Sequence, residues 1–175
     1  SSLDADGWKL ISNLGRSQGS LLEAETPGAQ WSCPFYLTQG GDFVLELHRF
    51  PTLCSVGRIR IGISVDNGEM NVFESQSTDE HRANWKHNIL NNVDKLTGCF
   101  TGLAAGLHSL TFTAIDPYVS FTRAVLYDEK SEAGKQLSCQ LTSPAKLVDG
   151  AYKRSNLGIV LSNPECEMLP KNIDL

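Results

Sequence analysis

Residues 58–66 read Arg-Ile-Arg-Ile-Gly-Ile-Ser-Val-Asp, and apolar and polar side chains alternate along this stretch. Successive side chains of a β-strand point to opposite faces, so a period of two predicts a half-buried antiparallel strand. The Asp66-Asn67-Gly68 sequence that follows is typical of a tight turn, because Asn and Gly tolerate positive φ. The side chains expected to face a core are Ile59, Ile61, Ile63 and Val65.

Short segments of similar character recur at roughly ten-residue intervals, separated by turn residues. Many short strands with this spacing are typical of an all-β sandwich or barrel. A returning strand is expected to carry Met70, Val72 and Phe73, and a helical turn or two is expected around Trp85–Val93. Further strands are predicted over residues 8–12, 19–25, 31–38, 42–50, 107–115 and 119–127.

The composition is that of an ordinary globular chain and excludes several classes of protein. The 175 residues are 41% hydrophobic and 20% charged, which excludes disordered, collagen-like and coiled-coil chains. A net charge of −5 without a basic block argues against a nucleic-acid partner. No apolar run approaches the roughly 18 residues of a membrane helix, so no membrane partner is expected.

A single domain is predicted over residues 1–175, because a chain of this length can bury one core but hardly two. Residues 1–128 are expected to form the core sandwich. Residues 129–175 are expected to form a connector and an extended C-terminal arm packing on it, with one short strand or a packed segment around 157–161. Docking of this arm on a neighbouring domain or subunit is the alternative. Because the first residue is Ser1 rather than Met, we expect a piece of a longer protein.

The cysteines and acidic residues give no strong metal signal. The five cysteines are widely spaced without a Cys-x-x-Cys pair, so we interpret them mostly as small buried hydrophobic residues, with one disulfide left open. The Asp4-Ala5-Asp6-Gly7 stretch resembles the start of an EF-hand loop without its downstream ligands. No cofactor is therefore expected, and a structural calcium ion near these carboxylates is the alternative.

No catalytic motif stands out in the sequence. There is no Gly-x-Ser-x-Gly elbow, and none of the 20 acidic residues belongs to a local motif that would mark a glycosidase pair. The four histidines are scattered. No catalytic residue is therefore predicted, and a small enzyme on a sandwich scaffold remains a third hypothesis because function resides in sites rather than folds.

Aromatic and arginine residues provide the candidates for ligand contact. Trp85 follows a polar run, and an aromatic ring can stack on the apolar face of a sugar, although tryptophan in a small sandwich is more often part of the core. Arg58 and Arg60 suit either an acidic sugar or, more commonly, ion pairs across strands with a partner such as Glu46.

The order of these motifs resembles the C-terminal β-sandwich domain of glycoside hydrolase family 115, the xylan α-glucuronidases. The resemblance spans about residues 5–128, and the ordered set is more specific than any of its pieces. The matching pieces are Trp8 with Leu14-Gly15-Arg16-Ser17, Phe50-Pro51-Thr52, Gly62-Ile63-Ser64-Val65-Asp66 with Asn67-Gly68, Trp85 with Ile89-Leu90-Asn91, Gly106-Leu107-His108-Ser109-Leu110 with Asp116-Pro117, and Phe121-Thr122-Arg123-Ala124-Val125.

The resemblance implies an all-β, antiparallel β-sandwich that is jelly-roll-like and galactose-binding-like. It also implies a non-catalytic accessory module of a bacterial polysaccharide-degrading hydrolase, since the catalytic residues of that family lie on a separate barrel domain. The implied partners are the catalytic domain of the parent enzyme, a second copy in a homodimer and a plant cell-wall polysaccharide such as xylan, and the implied location is secreted or periplasmic. A purely structural or dimerisation domain is the main alternative.

The resemblance transfers no binding residue, so a carbohydrate site is predicted from residue chemistry alone. Loops 13–19, 50–57 and 74–86 are expected to meet at one edge of the sandwich. An arginine there would bind a uronate carboxylate through paired hydrogen bonds. The candidate contacts are Trp85, Arg16, Arg49 and His81.

Overall fold

The computed structural model describes residues 7–14, 20–53, 57–75, 83–128, 130–131 and 158–162. Within these ranges the chain is mainly β-strand, with a single helix. The elements are β1 (Trp8–Ser12), β2 (Ser20–Ala24), β3 (Gln30–Leu37), β4 (Gly41–Arg49), β5 (Arg60–Val65), β6 (Asn71–Glu74), α1 (Ala83–Asn91), β7 (Asp94–Leu103), β8 (Gly106–Ala114), β9 (Val119–Phe121), β10 (Arg123–Asp128) and β11 (Gly158–Ser162).

The strands of the described ranges pair antiparallel in three sheets with the orders β1-β2-β9, β3-β8-β5-β6 and β11-β10-β4-β7. Apolar side chains from all three sheets form one buried cluster, in which Trp8, Leu45, Ile63 and Phe112 are each 0% exposed. The predicted antiparallel β-sandwich is confirmed. Strand β11 pairs with β10, so the residues around 157–161 include an edge strand. The extent of the domain over residues 1–175 stays a prediction.

The strand that suggested the fold is buried on the predicted face. Ile61 and Ile63 are 0% exposed, and Val65 is 8% exposed. The turn after it has positive φ at Asp66 (51°) and Asn67 (58°), and the Gly68 N–H donates to the Val65 carbonyl oxygen at 2.8 Å. Positive φ at both central residues is the type I′ geometry, whose twist matches that of paired strands.

A close contact between sheets depends on a glycine. A Cβ atom added to Gly98 on β7 would overlap the ring of Phe73, which lies on β6 and is 2% exposed. A Cβ atom added to Gly62 on β5 would overlap the thioether of Met70 instead. The two glycines differ because Met70 is 47% exposed and its flexible end can move into solvent.

We expect Gly98→Ala to lower the free energy of unfolding by about 1–3 kcal/mol, because a buried ring has no free volume into which it can move. Gly62→Ala is the matched control and should change the free energy of unfolding by less than about 1 kcal/mol. Urea unfolding of both variants measures the difference. Equal destabilisation by the two substitutions would contradict this account of the packing.

Two strand predictions differ from the structure. Strand β7 was not predicted, although Leu96, Gly98 and Phe100 alternate with outward-facing polar positions. Residues 119–127 form two strands rather than one, because the chain passes from the sheet of β9 to the sheet of β10 at Thr122. The Thr122 N–H and Oγ1 both donate to the His48 carbonyl oxygen, at 2.7 and 3.1 Å.

Arg58, which precedes β5, and Arg60, the first residue of β5, each form an ion pair with a distant part of the chain, and Glu46 is not the partner of either. Arg58 binds both carboxylate oxygens of Glu74 at 3.0 Å. Arg60 binds both carboxylate oxygens of Asp116 at 2.7 and 2.8 Å, and this guanidinium lowers the pKa of Asp116. Ion pairing of these arginines is confirmed, but Glu46 is the wrong partner. The register places Arg60 opposite Glu74 and beside the end of β8, so the acidic residues within reach are Glu74 and Asp116.

The cysteines of the described ranges are Cys33 and Cys99, and no disulfide bond joins them. Cys33 is buried in the core, as expected for a small hydrophobic side chain, whereas Cys99 is exposed on β7. Cys54, Cys139 and Cys166 lie outside the described residues.

At the end of the sandwich where β5 ends and β8 begins, His108 contacts two hydrogen-bond acceptors. Its Nδ1 lies 2.6 Å from Asp66 Oδ2, and its Nε2 lies 2.8 Å from the Ala104 carbonyl oxygen. Both oxygens are acceptors, so the ring satisfies both contacts when it is protonated and each ring nitrogen donates. Hydrogen bonding to Asp66 raises the pKa of His108, and the same bond lowers the pKa of Asp66.

We expect this pair to stabilise the fold most between about pH 4 and 6.5, above the ordinary aspartate pKa and below the ordinary histidine pKa. The stabilisation should fall as pH rises through the raised pKa of His108, and also as pH falls through the lowered pKa of Asp66. Urea unfolding of the wild type and His108→Gln across this range measures it. In an Asp66→Asn background, the effect of His108→Gln should lose most of its pH dependence, and an unchanged profile there would contradict the assignment.

Candidate functional site

Several strand ends meet at one end of the sandwich. Arg49 at the end of β4 and Asp94 at the start of β7 are paired in register. Because β4 and β7 are antiparallel neighbours, the segment that follows Arg49 and the segment that precedes Asp94 lie at the same end. Helix α1 belongs to the second segment. The described parts of predicted loops 50–57 and 74–86 are therefore close to each other.

A buried hydrogen-bond network joins these segments. Asp94 Oδ2 accepts hydrogen bonds from Arg49 Nη1 and Ser75 Oγ, both at 2.6 Å, and Asp94 Oδ1 accepts one from Asn88 Nδ2 at 2.9 Å. Arg49 Nη2 donates to Thr52 Oγ1 at 2.6 Å. The Arg49 side chain is 0% exposed and that of Asp94 is 4% exposed. This ion pair fixes α1, β7 and the residues after β4 and β6 in one arrangement.

Helix α1 lies on the surface and buries none of its side chains. It ends at Asn91 and is followed by Asn92, whose φ is 52°. The Asn92 N–H donates to the Ile89 carbonyl oxygen and the Val93 N–H donates to the Asn88 carbonyl oxygen, each at 3.1 Å. This pair of bonds is a Schellman motif, and asparagine tolerates the left-handed conformation that it needs. The amide contact of Asn88 with Asp94 therefore links the helix to the sandwich.

A cleft of about 400 Å³ lies between α1 and the start of β7. Four polar residues at helical spacing form the helix wall, and the other wall consists of residues that begin β7. The lining residues are Asn84, His87, Asn88, Asn91, Val93, Asp94 and Lys95. Amide side chains offer both hydrogen-bond donors and acceptors, so this lining suits a neutral ligand that carries many hydroxyl groups.

The charged groups of the cleft are already paired. Asp94 is neutralised by Arg49, and Lys95 Nζ lies 3.1 Å from Glu46 Oε1. Glu46 Oε1 also lies 2.5 Å from His48 Nε2, with both side chains at least 94% buried. Burial lowers the pKa of His48, although hydrogen bonding to Glu46 opposes the shift. The buried carboxylate of Glu46, which contacts His48 and Lys95, thus lies behind Lys95 as seen from the cleft.

The structure describes two of the four predicted contact residues. Trp85 lies on α1 and is half-buried outside the core cluster, so the alternative of a core tryptophan does not apply to it. Arg49 lies inside the network that supports the cleft, where its guanidinium does not reach the surface. Arg16 and His81 lie outside the described residues, and so does most of loop 13–19.

Sequence reasoning missed Ser75, Asn88 and Asp94, which form the network, and Asn84 and Asn91, which line the cleft. The spacing of Asn84, Asn88 and Asn91 on one helical face is a signal that could have revealed the cleft wall. No sequence pattern connects Arg49 to Asp94, which is 45 positions away.

The alternative of a structural calcium ion concerns Asp4, Ala5 and Asp6, which lie outside the described residues, and Gly7. Among the residues with described positions, no group of three or more His, Cys, Asp or Glu side chains is arranged to hold a metal ion. A search of the same residues finds no helix with the length and apolar character needed to span a membrane.

The chain is similar to known proteins in its structure and in its sequence family. A 4-O-methyl-α-glucuronidase of family GH115, with specificity for decorated arabinogalactans, aligns at 21% identity over 69% of this chain and 16% of its own, with a TM-score of 0.61. An exo-β-1,3-galactanase from Phanerochaete chrysosporium, solved with β-1,3-galactotriose, aligns at 18% identity over 70% of this chain and 26% of its own, with a TM-score of 0.52. No curated protein sequence matches the chain.

The two solved structures share the sandwich fold, and the chain spans less than a fifth of the length of the glucuronidase. A family model described as the glycosyl hydrolase family 115 C-terminal domain matches residues 1–135. The match covers most of the chain and agrees with the resemblance drawn from its motifs. The chain belongs to the glycosyl hydrolase family 115 C-terminal domain family.

Proposed function

We propose that this domain is a non-catalytic accessory module of a polysaccharide-degrading glycoside hydrolase. Membership of a family of C-terminal domains supports the proposal, as does the small share of the glucuronidase with which the chain aligns. The catalytic domain of the same longer protein is the proposed partner. A secreted or periplasmic location follows from the proposed substrate, because plant cell-wall polysaccharides lie outside the cell.

The proposed activity of the module is binding of a plant cell-wall glycan in the cleft between α1 and β7. The observation that carries this proposal is the lining of that cleft, in which asparagine amides surround charged groups that are already paired. Trp85 lies on the same helix and would stack on a sugar next to the cleft. Arg49 supports the cleft indirectly, through its ion pair with Asp94. Direct ligand contacts of Arg16 and His81 remain part of the proposal.

The first ligands to test are xylan, the glycan suggested by the sequence, and arabinogalactan and β-1,3-galactan, the glycans of the two similar enzymes. Affinity electrophoresis of the folded domain in gels containing each polysaccharide would show retention. Calorimetry with the matching oligosaccharides would give the dissociation constants.

We expect Asn84→Ala and Trp85→Ala each to weaken glycan binding about fivefold or more, as expected for the loss of a hydrogen bond or an aromatic stack worth about 1 kcal/mol. Lys86→Ala is the matched control, because Lys86 is an exposed residue of the same helix that does not line the cleft. Thermal unfolding of each variant separates weaker binding from a loss of folding.

A domain that folds but binds none of these glycans would contradict the proposed activity. The rival function is subunit or domain packing, and the exposed apolar side chains of α1 favour it, since Leu90 is 86% exposed and Ile89 is 47% exposed. In that case, sedimentation should show self-association that Leu90→Ser weakens, whereas glycan binding predicts no effect of this substitution on retention.

A further inference from the structure

We infer that the cleft between α1 and β7 selects an uncharged stretch of glycan and discriminates against a uronate. This inference rests on the proposed glycan-binding function and specifies its ligand class. It also reverses the expectation from sequence that an arginine of this domain would bind an acidic sugar.

Among the described residues, Lys95 is the only lysine or arginine that lines the cleft, and it is already part of an ion pair. Its Nζ lies 3.1 Å from Glu46 Oε1, and the Glu46 side chain is only 6% exposed. A ligand carboxylate that took Lys95 would leave Glu46 buried with a weaker set of partners. Because removing one partner from a buried carboxylate is unfavourable, the exchange would offset part of the gain from binding the ligand.

Arg49 cannot supply the missing charge. Its two terminal nitrogens donate to Asp94 and Thr52, and its side chain is 0% exposed. The group that this arrangement presents at the cleft wall is the carboxylate of Asp94. A uronate in the cleft would therefore lie near the paired carboxylate of Asp94 without gaining a free cation from the described lining residues.

The orientation of two of the cleft amides also disfavours the carboxylate of a ligand. Asn88 Nδ2 donates to Asp94 Oδ1 at 2.9 Å, and Asn91 Nδ2 donates to the His87 carbonyl oxygen at 2.9 Å. Both acceptors lack a proton, so the orientation of each amide is fixed by chemistry. Each of these two amides keeps its Oδ1 acceptor and at most one free N–H. A sugar hydroxyl can use both, whereas an ionised carboxylate can only accept and is repelled by Oδ1.

The experiment compares two oligosaccharides that differ in one group: a glucuronic-acid-bearing xylo-oligosaccharide and the same compound after reduction of its carboxyl to an alcohol. Calorimetry of both compounds at one pH keeps the protonation of the protein the same in the comparison. We expect the reduced compound to bind at least as tightly as the acid. Its affinity should change less than about twofold between low and high salt, because no ion pair with the ligand is formed.

The substitution Glu46→Gln sharpens the test, because it frees Lys95 and preserves a side chain of the same shape. It should raise the affinity for the acid about threefold or more at low salt, while the affinity for the reduced compound stays within about twofold. Circular dichroism and thermal unfolding establish that the variant is folded.

The outcomes separate the two hypotheses. Tighter binding of the acid than of the reduced compound by the wild type would overturn the selection for uncharged glycan and leave the glycan-binding function standing. If Glu46→Gln is folded but gains no affinity for the acid, the role of the Lys95 ion pair is overturned. Failure of the folded domain to bind either compound, or any neutral galactan or xylan, would remove the glycan-binding function and this inference with it.

Discussion

Replacing Asp94 with alanine should lower the free energy of unfolding by about 3–5 kcal/mol, because it leaves the buried charge of Arg49 without its counter-ion. The Arg49 guanidinium is 0% exposed, and its Nη1 donates to Asp94 at 2.6 Å. The substitution also removes the acceptor of Ser75 and of Asn88. Because α1 buries no side chain of its own, loss of the Asn88 contact should free the helix and open the cleft.

Chemical denaturation followed by tryptophan fluorescence would measure this loss, and retention on glycan would report the state of the cleft. Asp94→Asn should cost less than Asp94→Ala, since an amide oxygen can still accept a hydrogen bond. The matched control is Glu74→Ala, which breaks the two-bond ion pair with Arg58. Those side chains are 34% and 55% exposed, so the control should cost less than about 1 kcal/mol.

Equal costs for Asp94→Ala and Glu74→Ala would contradict the view that burial gives the Arg49–Asp94 pair its importance. Full stability of Asp94→Ala with loss of glycan retention would be informative in a different way. It would place Asp94 among the ligand contacts rather than among the supports of the cleft.

Phe112→Ala should lower the free energy of unfolding by about 3–5 kcal/mol, the usual cost of a large cavity in a core. Phe112 on β8 is 0% exposed, and its ring lies 4.7 Å from that of Phe121 and 5.4 Å from that of Trp31, between centroids. Phe121 belongs to β9 in the smallest sheet, while Phe112 and Trp31 belong to the sheet of β3 and β8. The substitution therefore removes a contact that joins two sheets.

Leu107→Ala is the matched control for Phe112→Ala, because Leu107 lies on the same strand and is 67% exposed. It should change the free energy of unfolding by no more than about 0.5 kcal/mol. Urea unfolding at one pH compares both variants with the wild type. A small loss for Phe112→Ala would indicate that the neighbouring rings fill the cavity, contrary to the packing that we describe.

The sequence was most informative where burial follows from local alternation. The period of two around Ile61 and Ile63 predicted a strand and its buried face, because a pleated strand must turn alternate side chains towards the same sheet face. The turn at Asp66-Asn67-Gly68 was predictable because few residues tolerate positive φ. The ordered motifs also indicated the family, which the family model confirms.

Sequence reasoning was weaker where partners are distant along the chain. The expected partner of the arginine pair was Glu46, whereas in the folded chain Glu74 pairs with Arg58 and Asp116 pairs with Arg60. Strand β7 was missed because Gly98 interrupts its apolar face, and that glycine is explained only by the Phe73 ring above it. The chain passes from one sheet to another at Thr122, where the side chain donates a hydrogen bond to the carbonyl oxygen of His48, 74 positions away.

The candidate site shows the same division. Trp85 was proposed as a ligand contact from its residue type, and that role stays a prediction. Whether Arg49 contacts solvent or Asp94 depends on which strands become neighbours. The amino-acid sequence by itself determined an antiparallel sandwich and its inward-facing residues, since alternation and turn preference act between residues close in the chain. Only the tertiary structure decided that Arg49 is a buried support, that Lys95 is held by Glu46 and that amides line the cleft, because charge pairing and burial depend on register between distant strands.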